Sequence, residues 1–234
     1  IADQFLIILV ILYLVLRVLL KPDTHFLKIL AQLAYLIIRV HIQCEFQVSV
    51  ANLLRGLLKL VQRAENDMLT GVLNKKTMEK RVSLMLKNRG DKYVIFYMVD
   101  LDNFKNVNDT LGHIYGDQAI VETAQCLNKV FANQDCIGRL GGDEFAICVS
   151  YQAFDEQGLL EFIGKKAQEI CAGNRRTYTD NAASVSITSS IGVAYAPDMG
   201  DSFTELYTQA DCALYYSKAN GKDQYHIYSP KDDN

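Results

Sequence analysis

RLGGDEFAICV, residues 139–149, runs from two glycines straight into two adjacent carboxylates and then into an apolar stretch. Glycine takes up positive φ without steric cost, so Gly141-Gly142 is a turn signal, and Phe145 to Val149 reads as a buried strand. Arg139-Leu140 and Phe145-Ala146 therefore form the two arms of an expected β-hairpin, with Asp143 and Glu144 at its tip. Two glycines also leave room for a bulky ligand to lie against the backbone. The same letters fit a surface hairpin with two solvated acids, so their meaning rests on what the chain places beside them.

YVIFYMVDLD, residues 93–102, is a continuous apolar run that ends in Asp100 and Asp102, the pattern of a fully buried central strand. Ligands of open α/β sheets bind outside the carboxyl ends of strands. If this strand neighbours the hairpin, three or four carboxylates gather and repel one another unless a cation sits between them. Magnesium typically uses one or two carboxylates together with substrate phosphates. Asp100, preceded only by apolar residues, reads as a ligand, whereas Asp102 reads equally as a ligand or as the cap of a helix beginning near Phe104-Lys105.

Working outward, helices are expected over Lys75 to Lys87, Asp117 to Phe131, Phe162 to Ala172 and Phe203 to Ala219. A turn falls at residues 88–91, a strand or strand pair at 184–196, and a last strand at Tyr225 to Tyr228. This order is α/β with an antiparallel hairpin inside. Half of the 234 residues are hydrophobic and 22% are charged; a net charge of -3 and a pI near 5.8 speak against a nucleic-acid binder. Six cysteines without a C-x-x-C pair suit reduced, buried thiols rather than a disulfide framework or a zinc site.

Residues 1–45 form an apolar region of helical character. FLIILVILYLVLRVLL, residues 5–20, carries one charge, Arg17, and is short of the roughly 20 residues of a membrane span. It reads either as a membrane anchor, with Arg17 and Lys21 on a cytoplasmic flank, or, with residues 26–40, as paired buried helices of a truncated sensory or dimer region. The chain starts at Ile1 without an initiator methionine, which reads as a fragment. Over residues 46–66, Val50, Leu54, Leu57, Val61 and Ala64, continued by Met68, step by four and three, a heptad seam that predicts pairing with a second copy. Leu53, Leu58 and Leu60 widen that stripe, as in a helix packed on its own domain.

GGDEF at 141–145, DLDNFKNVNDTLGHIYGD at 100–117, DMLTGVLN at 67–74 and ADCALYYSKANGK at 210–222 together resemble the GGDEF-domain diguanylate cyclases. The resemblance covers residues 67–230 and implies a fold like the palm of nucleotidyl cyclases and polymerases: a central mixed sheet flanked by helices, preceded here by the apolar helical region. It implies condensation of two GTP into cyclic di-GMP and two pyrophosphates, with two Mg2+ or Mn2+ ions per active site. Asp100, Asp143 and the Leu101 carbonyl match the metal ligands. Glu144 matches a second-metal ligand or the group that helps deprotonate the attacking 3′-hydroxyl. Asn108 and Asp117 match the guanine readers, Phe104, Gly141 and Gly142 line the substrate, and Lys105, Lys218 and Lys222 match triphosphate contacts. The family reaction joins two facing copies, so the resemblance implies a homodimer, here through the N-terminal helix, with a cytoplasmic catalytic domain that a membrane tether could hold at the inner face. A non-catalytic GTP-binding or interaction module with the same fold is the competing reading.

Family members commonly carry an R-x-x-D product site ending five residues before the glycine pair. Here Ala132 replaces the arginine and Asp135 is retained, so the bidentate guanidinium is lost and no product inhibition through that site is expected. Lys75 and Lys222 stand where arginine is common and keep the charge without the planar fork. Asp117 favours GTP at both sites over a mixed dinucleotide product.

Overall fold

Strand β2, Tyr93–Asp102, is hydrogen-bonded on both edges, and the order of the fold follows from it. The structure is a computed structural model that describes residues 25–131, 135–180 and 183–230. The chain forms two units, one ending at Gln62 and one beginning at Arg63. In the second unit a seven-stranded sheet runs in the order β1 (Leu73–Asn74), β3 (Cys136–Gly141), β4 (Glu144–Tyr151), β2, β6 (Ser184–Ala196), β5 (Arg176–Thr179), with β7 (Tyr225–Ile227) parallel to β6. The sheet is mixed, because β1 pairs β3 in parallel while β2, β3, β4, β5 and β6 pair with one another antiparallel.

Side chains on a strand alternate between faces, and β2 has both faces covered. Ile95, Tyr97, Val99 and Leu101 enter one core, with Val107, Ala119, Ile120, Leu127, Leu159 and Ile163 of the helices on that side. Val94, Phe96 and Met98 enter the other, with Met78, Val82, Leu206, Ala210 and Leu214. The first face is covered by α3 (Phe104–Leu111), α4 (His113–Val130) and α5 (Glu156–Asn174), the second by α2 (Lys75–Lys87) and α6 (Phe203–Ala219). A strand buried on both faces must be apolar throughout, which is why residues 93–99 show no polar alternation.

The expected hairpin is present: β3 and β4 pair with Gly141 opposite Glu144, leaving Gly142-Asp143 as the turn. Gly142 has φ +52°, a conformation that favours glycine. Residues 184–196 are one long strand rather than a pair, because Ser184–Ile187 bonds β5 while Thr188–Ala196 bonds β2. The short strands β1 and β5 and the separate helix α3 carry too little periodicity to stand out in the sequence. Helix starts follow local chemistry: the Asn74 side chain accepts from Thr77 N–H at 3.0 Å, the Asp155 side chain from Gly158 N–H at 2.7 Å, and Ser202 and Glu205 form a reciprocal capping box.

One helix, α1, spans His25–Glu65, beginning in the first unit and ending just past Gln62, with no break at residues 45 and 46. Val50, Leu54, Leu57 and Val61 of the expected seam are exposed, but so are Leu53, Leu58 and Leu60, so apolar surface extends well beyond one stripe. No described helix is long and apolar enough to cross a membrane, and residues 5–20 lie outside the described residues.

Gly192 marks where α6 presses on β6: a Cβ there would overlap the Ala210 carbonyl oxygen and Leu214 N and stand 2.9 Å from Leu214 Cα. Those are backbone atoms and cannot rotate away. Gly192→Ala should therefore destabilise the fold by at least about 1–3 kcal/mol; an unchanged melting temperature would show that α6 can lift from the sheet at little cost.

Candidate active site

Pairing on both edges of β2 assembles the acids. Asp100 lies directly opposite Glu144 of β4 and Ser190 of β6. It continues the Val94, Phe96, Met98 series, so it points to the face covered by α6. Directly opposed residues of an antiparallel pair have Cβ atoms about 4.5–5.5 Å apart, which brings Asp100 and Glu144 together, with Asp143 beside them in the turn. Lys218, in the last turn of α6, completes the group: its Nζ is 2.8 Å from Asp100 Oδ2.

Asp100 is 7% exposed. Burial pushes its carboxyl up, the Lys218 ammonium pulls it back, and Asp143 and Glu144 push it up again, to about 6. An acid so placed at the end of an apolar strand calls for positive charge. Carboxylate oxygens are hard donors, of the kind that suits magnesium or manganese rather than softer metals. Among the described residues, no three His, Cys, Asp or Glu side chains converge on one point as a ready-made cage. A magnesium site that relies on phosphate oxygens and water for its remaining ligands needs no such cage.

The turn is braced from outside. Arg139 donates from Nε (2.9 Å) and Nη2 (2.6 Å) to the Gly142 carbonyl, and its Nη1 lies 3.3 Å from both carboxylate oxygens of Asp67. Asp67 in turn accepts from the Thr70 amide and hydroxyl. Burial pushes the Asp67 carboxyl up, but the Thr70 bonds and Arg139 outweigh it and hold it below its usual value. The segment following α1 is thus tied to the acid-bearing turn through one guanidinium. The sequence showed Asp67 and Arg139 but nothing that paired them across 72 positions.

Asn108 lies on α3 and Asp117 near the start of α4, and the Asn108 side chain packs against Gly116, the residue before Asp117: a Cβ on Gly116 would overlap Asn108 Oδ1, so alanine there would require that side chain to rotate away. Asn108 is partly buried and Asp117 exposed, Phe104 packs against the core with Lys105 exposed beside it, and Gly141, Gly142 and Lys222 are exposed. Ala132 lies outside the described residues, while Asp135 immediately precedes β3.

The cap reading of Asp102 is overturned. The N-cap of α3 is Asn103, with φ +62° and no side-chain cap bond. Asp102 instead turns into the sheet, 3% exposed, and accepts from Thr188 Oγ1 (2.7 Å), Ser190 Oγ (2.8 Å) and Asp223 N–H (3.1 Å). Side chains at positions 188, 190 and 102 share one face of the sheet, so the hydroxyls in TSS at 188–190 were the available signal.

The family profile described as "Diguanylate cyclase, GGDEF domain" matches residues 64–224. The chain is 31% identical over 190 residues to the bifunctional diguanylate cyclase/cyclic di-GMP phosphodiesterase MucR of Pseudomonas aeruginosa, covering 80% of this chain and 27% of that protein. It is 29% identical over 168 residues to the cyclic di-GMP phosphodiesterase PdeR of Escherichia coli, covering 72% and 24%. The chain thus spans about a quarter of the length of these relatives. The crystal structure of the coiled coil and GGDEF domain of DgcB from Caulobacter crescentus, in complex with c-di-GMP, superposes with a TM-score of 0.69 at 26% identity, covering 79% of this chain and 96% of that one.

Asp100 gives the fold a pH signature. Its folded value of about 6 lies above the ordinary 3.8, so its contribution to stability is full below the ordinary value and is lost as pH rises through about 6. Asp100→Asn, which has no charge to desolvate, should gain in melting temperature over wild type between about pH 5 and about pH 7.5, without divalent metal. A difference that stays constant over that range would contradict the raised value.

Proposed function

Because the chain belongs to the GGDEF diguanylate cyclase domain family, we propose that it condenses two GTP into cyclic di-GMP and two pyrophosphates across a dimer of these domains. The observation that carries this reading is the register that sets Asp100 opposite Glu144, with Asp143 in the intervening turn.

Asn108 and Asp117 hold the guanine. The Asp117 carboxylate accepts from N1–H and the exocyclic amine, and the Asn108 amide serves both kinds of base-edge atom. Lys105, Lys218 and Lys222 steady the triphosphate, while Gly141 and Gly142 leave its path clear of side chains and Phe104 anchors the start of α3 beneath it. Asp100, Asp143, Glu144 and the Leu101 carbonyl would hold two magnesium or manganese ions per site, which would supply positive charge to the entering and leaving oxygens of an in-line displacement. In each of two steps the 3′-oxygen of one GTP bonds to the α-phosphorus of the other as the bond to pyrophosphate breaks. Glu144, at the hairpin edge, takes the hydroxyl proton.

One domain holds one GTP, so two must face each other. The apolar helix of residues 46–66, exposed along its length, is the element we assign to pairing the copies, with residues 67–230 as the catalytic domain and residues 1–45 as the apolar region before it. The Arg139–Asp67 contact gives that helix a physical route to the hairpin. Thiols outside any disulfide at all six cysteines suit a cytoplasmic setting for the catalytic domain. With Ala132 at the arginine position, product inhibition through the R-x-x-D position is not part of this reading.

The phosphodiesterase named for PdeR favours a second reading, a GTP-binding module that serves a larger protein without catalysis. Incubating the concentrated chain with GTP and magnesium and identifying products by chromatography separates the two. Cyclic di-GMP is expected, falling at least about 100-fold in Glu144→Gln, where the proton acceptor is lost. GTP that binds but stays intact would support the module.

A further inference from the structure

Asp102 is a buried carboxyl, one residue beyond Leu101, with no ion pair among the described residues, and the proposed reaction leaves it without a task. Its bonds say what it holds. Oδ1 accepts from Ser190, and Oδ2 accepts from Thr188 and from the backbone N–H of Asp223. Two of these donors are rigid parts of β6. The third belongs to the segment after α6, 121 positions away, which carries Lys222.

That segment has an unusual backbone. Gly221, Lys222 and Asp223 have φ of +115°, +63° and +48° in succession. Only the first is glycine, so two residues with side chains stay in a region they rarely adopt, and they persist there only where surrounding contacts hold them. From beyond, the Gln224 side chain ties it back to the end of α6, donating from Nε2 to the Ser217 and Asn220 carbonyls at 3.1 and 2.7 Å, and backbone and ion-pair contacts hold the rest. Lys222 N–H donates to the Ser217 carbonyl at 3.1 Å, Asp223 N–H donates to Asp102, and the Asp223 carboxylate accepts from Arg175 Nε at 2.8 Å. Beyond them, Ile191 N–H donates to the Gln224 carbonyl at 2.9 Å and joins the segment to β6. Lys222 itself is exposed and makes no ion pair among the described residues.

Both ends of this tail reach the same strand end. Lys218, the next-to-last residue of α6, touches Asp100, and Asp223, just after Lys222, touches Asp102. Lys222 therefore stands between two points fixed to the carboxyl end of β2. We infer that Asp102 is a positioning residue, which clamps the backbone of Asp223 to the sheet and so presents Lys222 to the nucleotide's triphosphate. The assignment explains why a carboxylate is present where neither the core nor the metal set needs one: it can accept from three donors at once, where a hydroxyl or an apolar side chain could not. It rests on the proposed guanine-nucleotide reading and goes beyond it, since it gives a role to a residue two positions from Asp100 that touches no nucleotide.

The test is a binding cycle on the full 234-residue chain, titrated with GMP and with a GTP analogue whose α- and β-phosphates are joined by methylene, alongside thermal melts. Asp102→Ala should weaken the analogue about tenfold, as for one lost charge-assisted contact, and leave GMP unchanged. Lys222→Ala should do the same, and the double variant should be no weaker than either single one. Asp102→Asn, which still accepts the Asp223 N–H, should bind nearly as wild type. Equal loss of GMP and analogue, or additive losses in the double variant, would overturn the inference. So would wild-type affinity in Lys222→Ala, with the nucleotide reading left standing. Wild-type protein that binds neither ligand would overturn that reading and this inference together. Should Asp102→Ala not fold, Thr188→Val, which removes one donor that orients the carboxylate, carries the same comparison.

Discussion

The two-sided pairing of β2 is the constraint on which the site depends. A strand bonded on both edges and covered on both faces has no freedom to slip, because a shift by one residue would exchange Phe96 and Met98 for Tyr97 and Val99 in cores shaped for each. The same register sets Asp100 across from Glu144 and Asp102 across from Thr188. Acids that repel one another are thus held by apolar packing several residues away. The raised Asp100 carboxyl is the visible cost of that arrangement, relieved in part by Lys218.

Around this strand the polar contacts form two braces of different kinds. Arg139 ties the acid-bearing turn to the segment that follows the long N-terminal helix, through a fork that engages a carbonyl and a carboxylate together. Asp102 ties the opposite side, the tail of α6, to β6. One brace leads toward the element assigned to pairing the copies and the other toward a lysine assigned to the triphosphate. The acids therefore sit between the two braces, with the rigid sheet as common ground.

The N-terminal helix follows a different logic. Its last residues join the folded unit, where Asn74 Nδ2 donates to the Ala64 carbonyl at 2.8 Å. Further back, leucines and valines stand exposed around the helix. Surface of that kind is stable in water when another apolar surface covers it, which agrees with a role in assembly.

Much of the fold was legible in the chain itself. The apolar run at 93–99 reads as a strand buried on both faces, the glycine pair as a hairpin, and four separated motifs name the family, because period, turn chemistry and motif spacing are local properties of sequence. The candidate acids were marked by strand-end position and turn chemistry, and the candidate lysines by their place inside the family motifs. What local pattern could not supply was partnership at a distance: Lys218 on Asp100, Arg139 on Asp67, Asn108 against Gly116, and Asp102 turned into the sheet instead of capping α3. The sequence by itself determined the family and the main elements of the fold, because these rest on local pattern and motif order. Only the tertiary structure decided what each charged group faces, because that depends on sheet order and register, which bring together residues as far apart as Asp102 and Asp223 that no local periodicity relates.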